Sequence, residues 1–189
     1  PIGEGDFTVD YQDTSTDWWS IVPERRPVAI ITFSRGFSDN SWELEMNQFN
    51  RQTWVGDYEA PTQPTPAPPD DSSPAGTLRE STLPVDDILA AVDEQVPEVN
   101  AYICYTQDGG GFLSEFIGYH GVWYQSIHAP GNTPTPCWAS GHIHVGNGNS
   151  VPVARDAAEV TVRALIAWLD ENLPPYEDIT GDGVVNVND

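Results

Sequence analysis

The segment from residue 101 to residue 120 constrains the fold most, because it combines an apolar run, three consecutive glycines and a helical pattern. Residues 101–105 predict a buried strand, and Gly109-Gly-Gly111 predicts a tight turn. From Phe112 to Tyr119 the apolar residues recur at the spacing of one helix face. This order of strand, turn and helix places Ser114 in the first turn of the helix.

The first turn of a helix is a favourable place for a nucleophile. Its backbone N–H groups lack acceptors within the helix, and the helix dipole favours negative charge there. N–H groups between Gly111 and Leu113, or those of the helix start itself, could also receive an oxyanion. Alone, the segment is weak evidence, since the glycines could simply make the turn while Ser114 helps to cap the helix.

Two of the four histidines lie close together near the C-terminal third of the chain. Residues 140–146 alternate like a short strand, so His142 and His144 share one face of it. A metal site is one interpretation, but no carboxylate or cysteine follows at a convincing ligand spacing. A general base beside a nucleophile is the better functional interpretation. A histidine that only makes hydrogen bonds remains the alternative.

Strands and helices alternate along the rest of the chain. Further strands are predicted at residues 7–9, 28–33 and 43–50, and helices at residues 16–22, from Pro84 onwards and at residues 153–173. Residues 60–76 and 129–136 read as loops, the first of them rich in proline. The predicted fold class is α/β, a single domain over residues 1–174 with a mostly parallel central sheet and helices on both faces.

Three short motifs together resemble pyroglutamyl peptidase I, a family of cysteine peptidases. The motifs are Leu44-Glu-Met-Asn-Gln-Phe-Asn50, Gly109-Gly-Gly-Phe-Leu-Ser-Glu-Phe-Ile-Gly-Tyr119 and Gly141-His-Ile-His-Val-Gly146. Their order and approximate spacing follow the family, and the resemblance covers about residues 7–173. It implies an α/β fold and a catalytic triad of cysteine, histidine and glutamate.

The resemblance also implies a role for each matching residue. Ser114 stands where the family has its cysteine, His144 matches the histidine, and Glu45 matches the glutamate. Phe112 and Leu113 match positions that line the pyroglutamate pocket. The implied substrate is a peptide with an N-terminal pyroglutamyl residue, and catalysis needs no cofactor.

This chain departs from the family pattern in three places. The nucleophile is a serine, residues 51–57 do not match the family's next motif, and the family's first strand and aromatic pocket loop have no counterpart. Two functions therefore stay open. One is a serine hydrolase of the peptidase type, and the other is an inactive homologue that serves as a secreted binding or scaffold domain.

The C-terminal residues 175–189 contain a calcium-binding pattern. Oxygen ligands at loop positions 1, 3, 5, 7, 9 and 12, with a glycine at position 6, suit calcium. The predicted ligands are Asp178, Thr180, Asp182, the carbonyl of Val184, Asn186 and Asp189. The pattern resembles the first half of a type I dockerin repeat, which implies a cohesin or cell-surface partner and a secreted or cell-surface bacterial protein. The alternatives are a solvated acidic tail and a cytoplasmic location.

The net charge of −22 narrows the range of partners. So acidic a chain is a poor match for nucleic acid or for anionic membranes, and it fits salty surroundings that screen self-repulsion. No apolar run is long enough to span a bilayer.

Cys104 and Cys137 could form a disulfide in an exported protein, or stay as buried thiols. Cys104 is a poor substitute nucleophile, because it lies within the predicted strand.

Overall fold

The computed structural model describes residues 9–173 as one α/β domain with five strands and four helices, which confirms the predicted fold class. In chain order the elements are α1 (Tyr11–Arg25), β1 (Ala29–Arg35), β2 (Ser41–Phe49), β3 (Leu78–Glu80), α2 (Val85–Gln95), β4 (Asn100–Asp108), α3 (Leu113–Ile127), β5 (Ala139–Val145) and α4 (Val151–Asn172). Outside the described residues lie most of the strand predicted at residues 7–9, the domain boundary at residue 174 and the whole calcium loop.

The central sheet is mixed. β1 pairs with β5 and β2 pairs with β4 in parallel, whereas β2 runs antiparallel to both β5 and β3. The sheet therefore contains more antiparallel pairing than the predicted, mostly parallel arrangement. The reason lies in the connection between β1 and β2, residues 36–40, which is too short for the crossover that a parallel return requires.

Helices cover both faces of the sheet, as predicted, but the two faces differ in chemistry. α2 and α4 enclose an apolar core on one face, built around Trp42, Leu44 and Ile143. On the other face α3 packs against β1, β2 and β5, with α1 beside it. There the sheet presents buried polar side chains to α3. A candidate site is therefore to be sought on the α3 face.

The first helix is longer than the predicted segment 16–22. Asp10 caps its N-terminus by accepting hydrogen bonds from the backbone N–H groups of Gln12 and Asp13. Arg26 ends it in the left-handed conformation, at a φ of 48°. The local capping residues, rather than the apolar pattern, therefore set the limits of α1.

The proline-rich loop, residues 51–77, is tied down by side chains at its two ends. Asn50 donates to the carbonyl of Asp70, and the Asp70 carboxylate accepts from Arg79 and from the hydroxyl of Tyr119. Asp70 is fully buried. The loop is thereby held against α3 and β3.

In residues 9–173 no helix has the length and apolar character needed to cross a bilayer.

Candidate active site

Two glutamates and two histidines meet on the α3 face of the sheet. In the antiparallel register of β2 and β5, Glu43 lies opposite His144 and Glu45 lies opposite His142. Alternate residues of a strand point to the same side, so all four side chains project from one face. All four are buried, and none is more than 8% exposed.

His144 and Glu45 form a direct hydrogen bond. The Nδ1 of His144 lies 2.8 Å from Oε1 of Glu45. With Nδ1–H as the donor, the neutral ring keeps Nε2 unprotonated and able to accept a proton. The fold thus brings together the two residues that the family resemblance paired.

Glu43 is a member of this cluster that the sequence motifs did not identify. Its Oε2 lies 3.7 Å from Nδ1 of His144, and the side chain is 2% exposed. The signal in the sequence is the alternation of Glu43 and Glu45 in a strand that is otherwise apolar at Trp42 and Leu44. Two acidic residues on the same face of a buried strand need a partner, and His144 provides it.

The charges in the cluster stabilise each other. Burial disfavours the imidazolium of His144, but hydrogen bonds and the charges of Glu43 and Glu45 outweigh it and raise the pKa from 6.5 to about 9. Burial likewise works to raise the pKa of Glu43, yet hydrogen bonds from His144, Cys104 and Tyr102 bring it below its ordinary value. His144 therefore lies with one nitrogen beside two buried carboxylates, which favour its protonated form.

His142 has a structural role. Its Nδ1 lies 2.7 Å from the hydroxyl of Thr32 and its Nε2 lies 2.8 Å from the hydroxyl of Ser34. Complete burial and the neighbouring charge of His144 place the pKa of His142 well below 6.5. With both ring nitrogens bonded and the ring neutral, His142 supports β1 and packs edge-on against His144, with ring centres 4.8 Å apart.

Ser114 lies in the first turn of α3, as predicted, and is half-buried. One turn later, at Gly118, α3 passes so close to the sheet that a Cβ on Gly118 would lie 3.1 Å from the Cβ of His142. Ser114 and Gly118 are four residues apart and therefore share one face of α3. Among the described residues no hydrogen bond joins Ser114 to His144. The structure thus pairs His144 with Glu45 and leaves the third contact of the triad open.

The glycine turn before α3 is held by Glu115. This carboxylate is fully buried and accepts from the N–H groups of Gly111 and Phe49 and from Nε of Arg51, at 2.7, 3.1 and 2.6 Å. Gly110 and Gly111 both adopt positive φ, at 75° and 74°, which favours glycine. The turn that precedes Ser114 is consequently fixed in position.

This bonding corrects the predicted oxyanion donors. The N–H of Gly111 is used by Glu115 and is not free to bind an oxyanion. The N–H groups of Leu113 and Ser114 lie at the helix start and have no acceptor in the part of the chain that the structure describes. Of the predicted donors only Gly111 is thereby removed, and the helix start stays a candidate.

The two predicted pocket residues lie in different environments. Phe112 precedes α3 and is 54% exposed, so its ring is accessible. Leu113 packs against the aromatic cluster of Tyr11, Trp54 and Phe116. Phe112 is thus the more accessible of the two for contact with a ligand.

The sequence does not favour a metal site, because no carboxylate or cysteine lies at a convincing ligand spacing from His142 and His144 along the chain. The fold in fact brings Glu43 and Glu45 to His144, with one ligand atom of each within 4.8 Å of the others. Nδ1 of His144 is already hydrogen-bonded to Glu45 at 2.8 Å, which fits a base and its orienting group better than a set of metal ligands. Cys104 and Cys137 are both buried, and no disulfide joins them.

Comparison with solved structures identifies proteins of the same fold. Pyrrolidone carboxyl peptidase from Thermococcus litoralis superposes with a TM-score of 0.69 at 14% sequence identity, covering 90% of this chain and 80% of that one. The corresponding enzyme from Pyrococcus furiosus gives 0.67 at 16% identity, covering 86% and 80%. No protein-family model and no curated protein sequence matches the chain. At these identities the similarity establishes the fold.

Proposed function

We propose that this chain is a peptidase-type hydrolase related to pyroglutamyl peptidase I, in which a serine replaces the cysteine nucleophile. The observation that carries the proposal is the buried pair of His144 and Glu45, joined at 2.8 Å. Its support is the fold shared with pyrrolidone carboxyl peptidases and the position of Ser114 at a helix start. The substrate would be a peptide that begins with a pyroglutamyl-type residue.

In the proposed reaction Ser114 attacks the carbonyl carbon that joins the first residue to the rest of the peptide. Nε2 of His144 takes the hydroxyl proton as the new C–O bond forms, and Glu45 holds the ring through Nδ1. The N–H groups of Leu113 and Ser114 receive the negative oxygen. His144 then returns the proton to the departing amine, and a water molecule hydrolyses the acyl-enzyme by the same steps.

Turnover of a pyroglutamyl fluorogenic amide tests this function. We expect release of the fluorophore by the wild type, and its loss in Ser114→Ala. Ser126→Ala, in the last turns of the same helix, is the matched control and keeps activity. The proposal fails if the wild type is inactive at every pH, or if Ser114→Ala retains full activity.

A second candidate function is a binding or scaffold domain with the same fold and no catalysis. The missing hydrogen bond between Ser114 and His144 favours it, although such contacts often tighten only when substrate binds. A fluorophosphonate probe separates the two, because it labels only an activated serine. Labelling of Ser114 that depends on His144 supports the hydrolase, and complete absence of labelling supports the scaffold.

The calcium loop and the location are separate proposals. Six ligands between Asp178 and Asp189 would bind calcium and, through a dockerin-like module, a cohesin or cell-surface partner of a secreted protein. Isothermal titration with calcium tests the loop. Loss of heat in Asp178→Asn and Asp182→Asn is the expected result, and equal binding by these variants would contradict it.

A further inference from the structure

Glu43 is a buried carboxylate that the proposed triad does not use. Glu43 lies 3.7 Å from Nδ1 of His144, on the same sheet face as Glu45. Its burial at 2% exposure means that water does little to stabilise its charge. A side chain with this cost in the middle of a strand needs a compensating partner, and the imidazole of His144, at 3.7 Å, can supply a positive charge.

Two buried carboxylates beside one neutral imidazole would leave two negative charges without a counter-charge. Such a site takes up a proton, either on the ring or on one carboxyl group. Hydrogen bonds from Cys104 and Tyr102 of β4 favour the charged form of Glu43. Glu43 therefore stays ionised, and the ring of His144 is the group that gains the proton.

The other neighbours of His144 do not oppose this. On β5, His142 is neutral and bonded to two hydroxyls of β1. Gly36, after β1, approaches the Cβ of His144 and carries no charge. On α3 the nearest acidic residue to Ser114 is Glu115, whose carboxylate faces Arg51 and the glycine turn. The charge on His144 is thus decided by Glu43 and Glu45.

We infer that Glu43 is a second positioning residue for His144, and that the two carboxylates hold His144 as an imidazolium at neutral pH, so that a serine nucleophile works only at alkaline pH. The second part rests on the proposed function, and the first does not. Hereafter Glu43, His144 and Glu45 are called the carboxylate clamp.

The clamp suits a thiol better than a hydroxyl. A cysteine beside a histidine reacts as a thiolate paired with an imidazolium, so a persistent positive charge on His144 would assist it. A serine needs a neutral imidazole to take its proton, which the clamp provides only above the pKa of His144, about 9. Ser114→Cys is accordingly expected to be active at neutral pH, where the wild type is nearly silent.

The protonation of His144 can be measured without any activity. We would titrate 13C-labelled histidine by NMR and assign His144 from the signal that disappears in His144→Asn. The expected midpoint in the wild type lies well above 7, and Glu43→Gln lowers it by about one unit or more. Glu94→Gln, an exposed site on α2, is the control and leaves it unchanged.

Two results would overturn the inference. One is a midpoint near 6.5 for His144 in the wild type, which would mean that a carboxyl group carries the proton. This result needs only the wild-type protein, so it is decisive even if Glu43→Gln fails to fold. The other is an unchanged midpoint in a folded Glu43→Gln protein.

The pH profile of kcat/KM on the pyroglutamyl amide is a second, independent test of the inference. In the wild type it should rise about tenfold per pH unit up to the NMR midpoint, and Glu43→Gln should move the rise to lower pH by the same shift. If Glu43→Gln shifts the NMR midpoint of His144 but neither protein turns over the amide, the proposed function is contradicted and the inference about the clamp is supported. If turnover requires Ser114 but the pH profile of kcat/KM does not change in Glu43→Gln, the inference about the clamp is contradicted and the proposed function is supported.

Discussion

At the scale of single residues, the site depends on which atom of His144 carries a proton. The bond from Nδ1 to Glu45 fixes the ring and selects the tautomer whose Nε2 can act as a base. Glu43 adds charge without a short hydrogen bond, at 3.7 Å. In the proposed mechanism both glutamates position His144, Glu45 through a hydrogen bond and Glu43 through its charge.

Replacement of Glu45 by glutamine tests its orienting role. An amide can present its NH₂ group to Nδ1 and select the wrong tautomer, so we expect kcat/KM to fall by about 10²–10⁴-fold with little change in KM. The measurement is the steady-state rate at the alkaline optimum, with Glu94→Gln as the control. A variant that keeps more than half of the wild-type kcat/KM would remove Glu45 from the mechanism.

The sequence predicted part of this cluster. The alternation of His142 and His144 showed that they share a face, and the resemblance selected His144 and Glu45. Ser114 was placed at a helix start by the glycine turn. Glu43 was missed because its role depends on the register between β2 and β5, which are almost a hundred positions apart. Local periodicity carries no information on such a register.

At the scale of elements, the glycine turn and the start of α3 form one unit held from outside. Arg51 reaches Glu115 from the far end of β2, and the N–H of Val55 donates to the carbonyl of Gly111. Residues 51–57, which do not match the motif of the resembled family, thus still contact the turn before Ser114. This contact could not be predicted, because Arg51 and Glu115 lie in unrelated segments of the sequence.

Replacement of Arg51 by methionine should destabilise this unit. The change leaves the fully buried Glu115 carboxylate with backbone donors but without its cation, at a cost of about 1–3 kcal/mol in the free energy of unfolding. Urea denaturation measures it. Arg155→Met, which removes an exposed ion pair with Asp156, is the control and should cost less than about 1 kcal/mol. Equal effects of the two changes would argue against a fixed turn.

Asp70 gives the proline-rich loop a dependence on acid. Burial acts to raise its pKa, but hydrogen bonds from Ser72, Ser73, Arg79 and Tyr119 lower it to about 2. Since the folded pKa lies below the unfolded value near 3.9, the stabilisation is complete above that value and disappears as the pH falls toward 2. Asp70→Asn should therefore cost about 1.5–3 kcal/mol at neutral pH and progressively less in acid.

Chemical denaturation of both proteins between neutral pH and pH 3 checks this expectation. The difference in free energy of unfolding should shrink as the pH falls. Asp71→Asn, at the exposed neighbouring position, controls for the loss of one negative charge. A difference that stays constant in acid would show that the loop is not held by the ionised carboxylate.

At the scale of the whole molecule, the two faces of one sheet have separate functions. The face beneath α2 and α4 is apolar and supplies the core, while the face beneath α3 collects the buried charges. Apolar alternation in the strands predicted the first face well. The second could not be predicted in the same way, because buried polar residues look like surface positions in a sequence.

The acidic excess should make stability depend on salt. All seven cationic residues are arginines, and Arg51 and Arg79 are bound to internal carboxylates, so few cations remain to offset 29 acidic residues. Between about 0.1 M and about 1 M NaCl the Debye length falls from about 10 Å to about 3 Å. We expect the Tm to rise over this range as self-repulsion is screened. An equal rise in sucrose of matched osmolality would point to a cause other than charge.

The carboxylate clamp also bears on how such a chain changes over generations. Some serine codons become cysteine codons through a single base substitution. Glu43, Glu45 and His144 provide an imidazolium that suits a thiolate, so none of them has to change when that base does. Where Ser114 has such a codon, one point mutation would supply the thiol that the clamp is proposed to favour, without rebuilding the surrounding sheet.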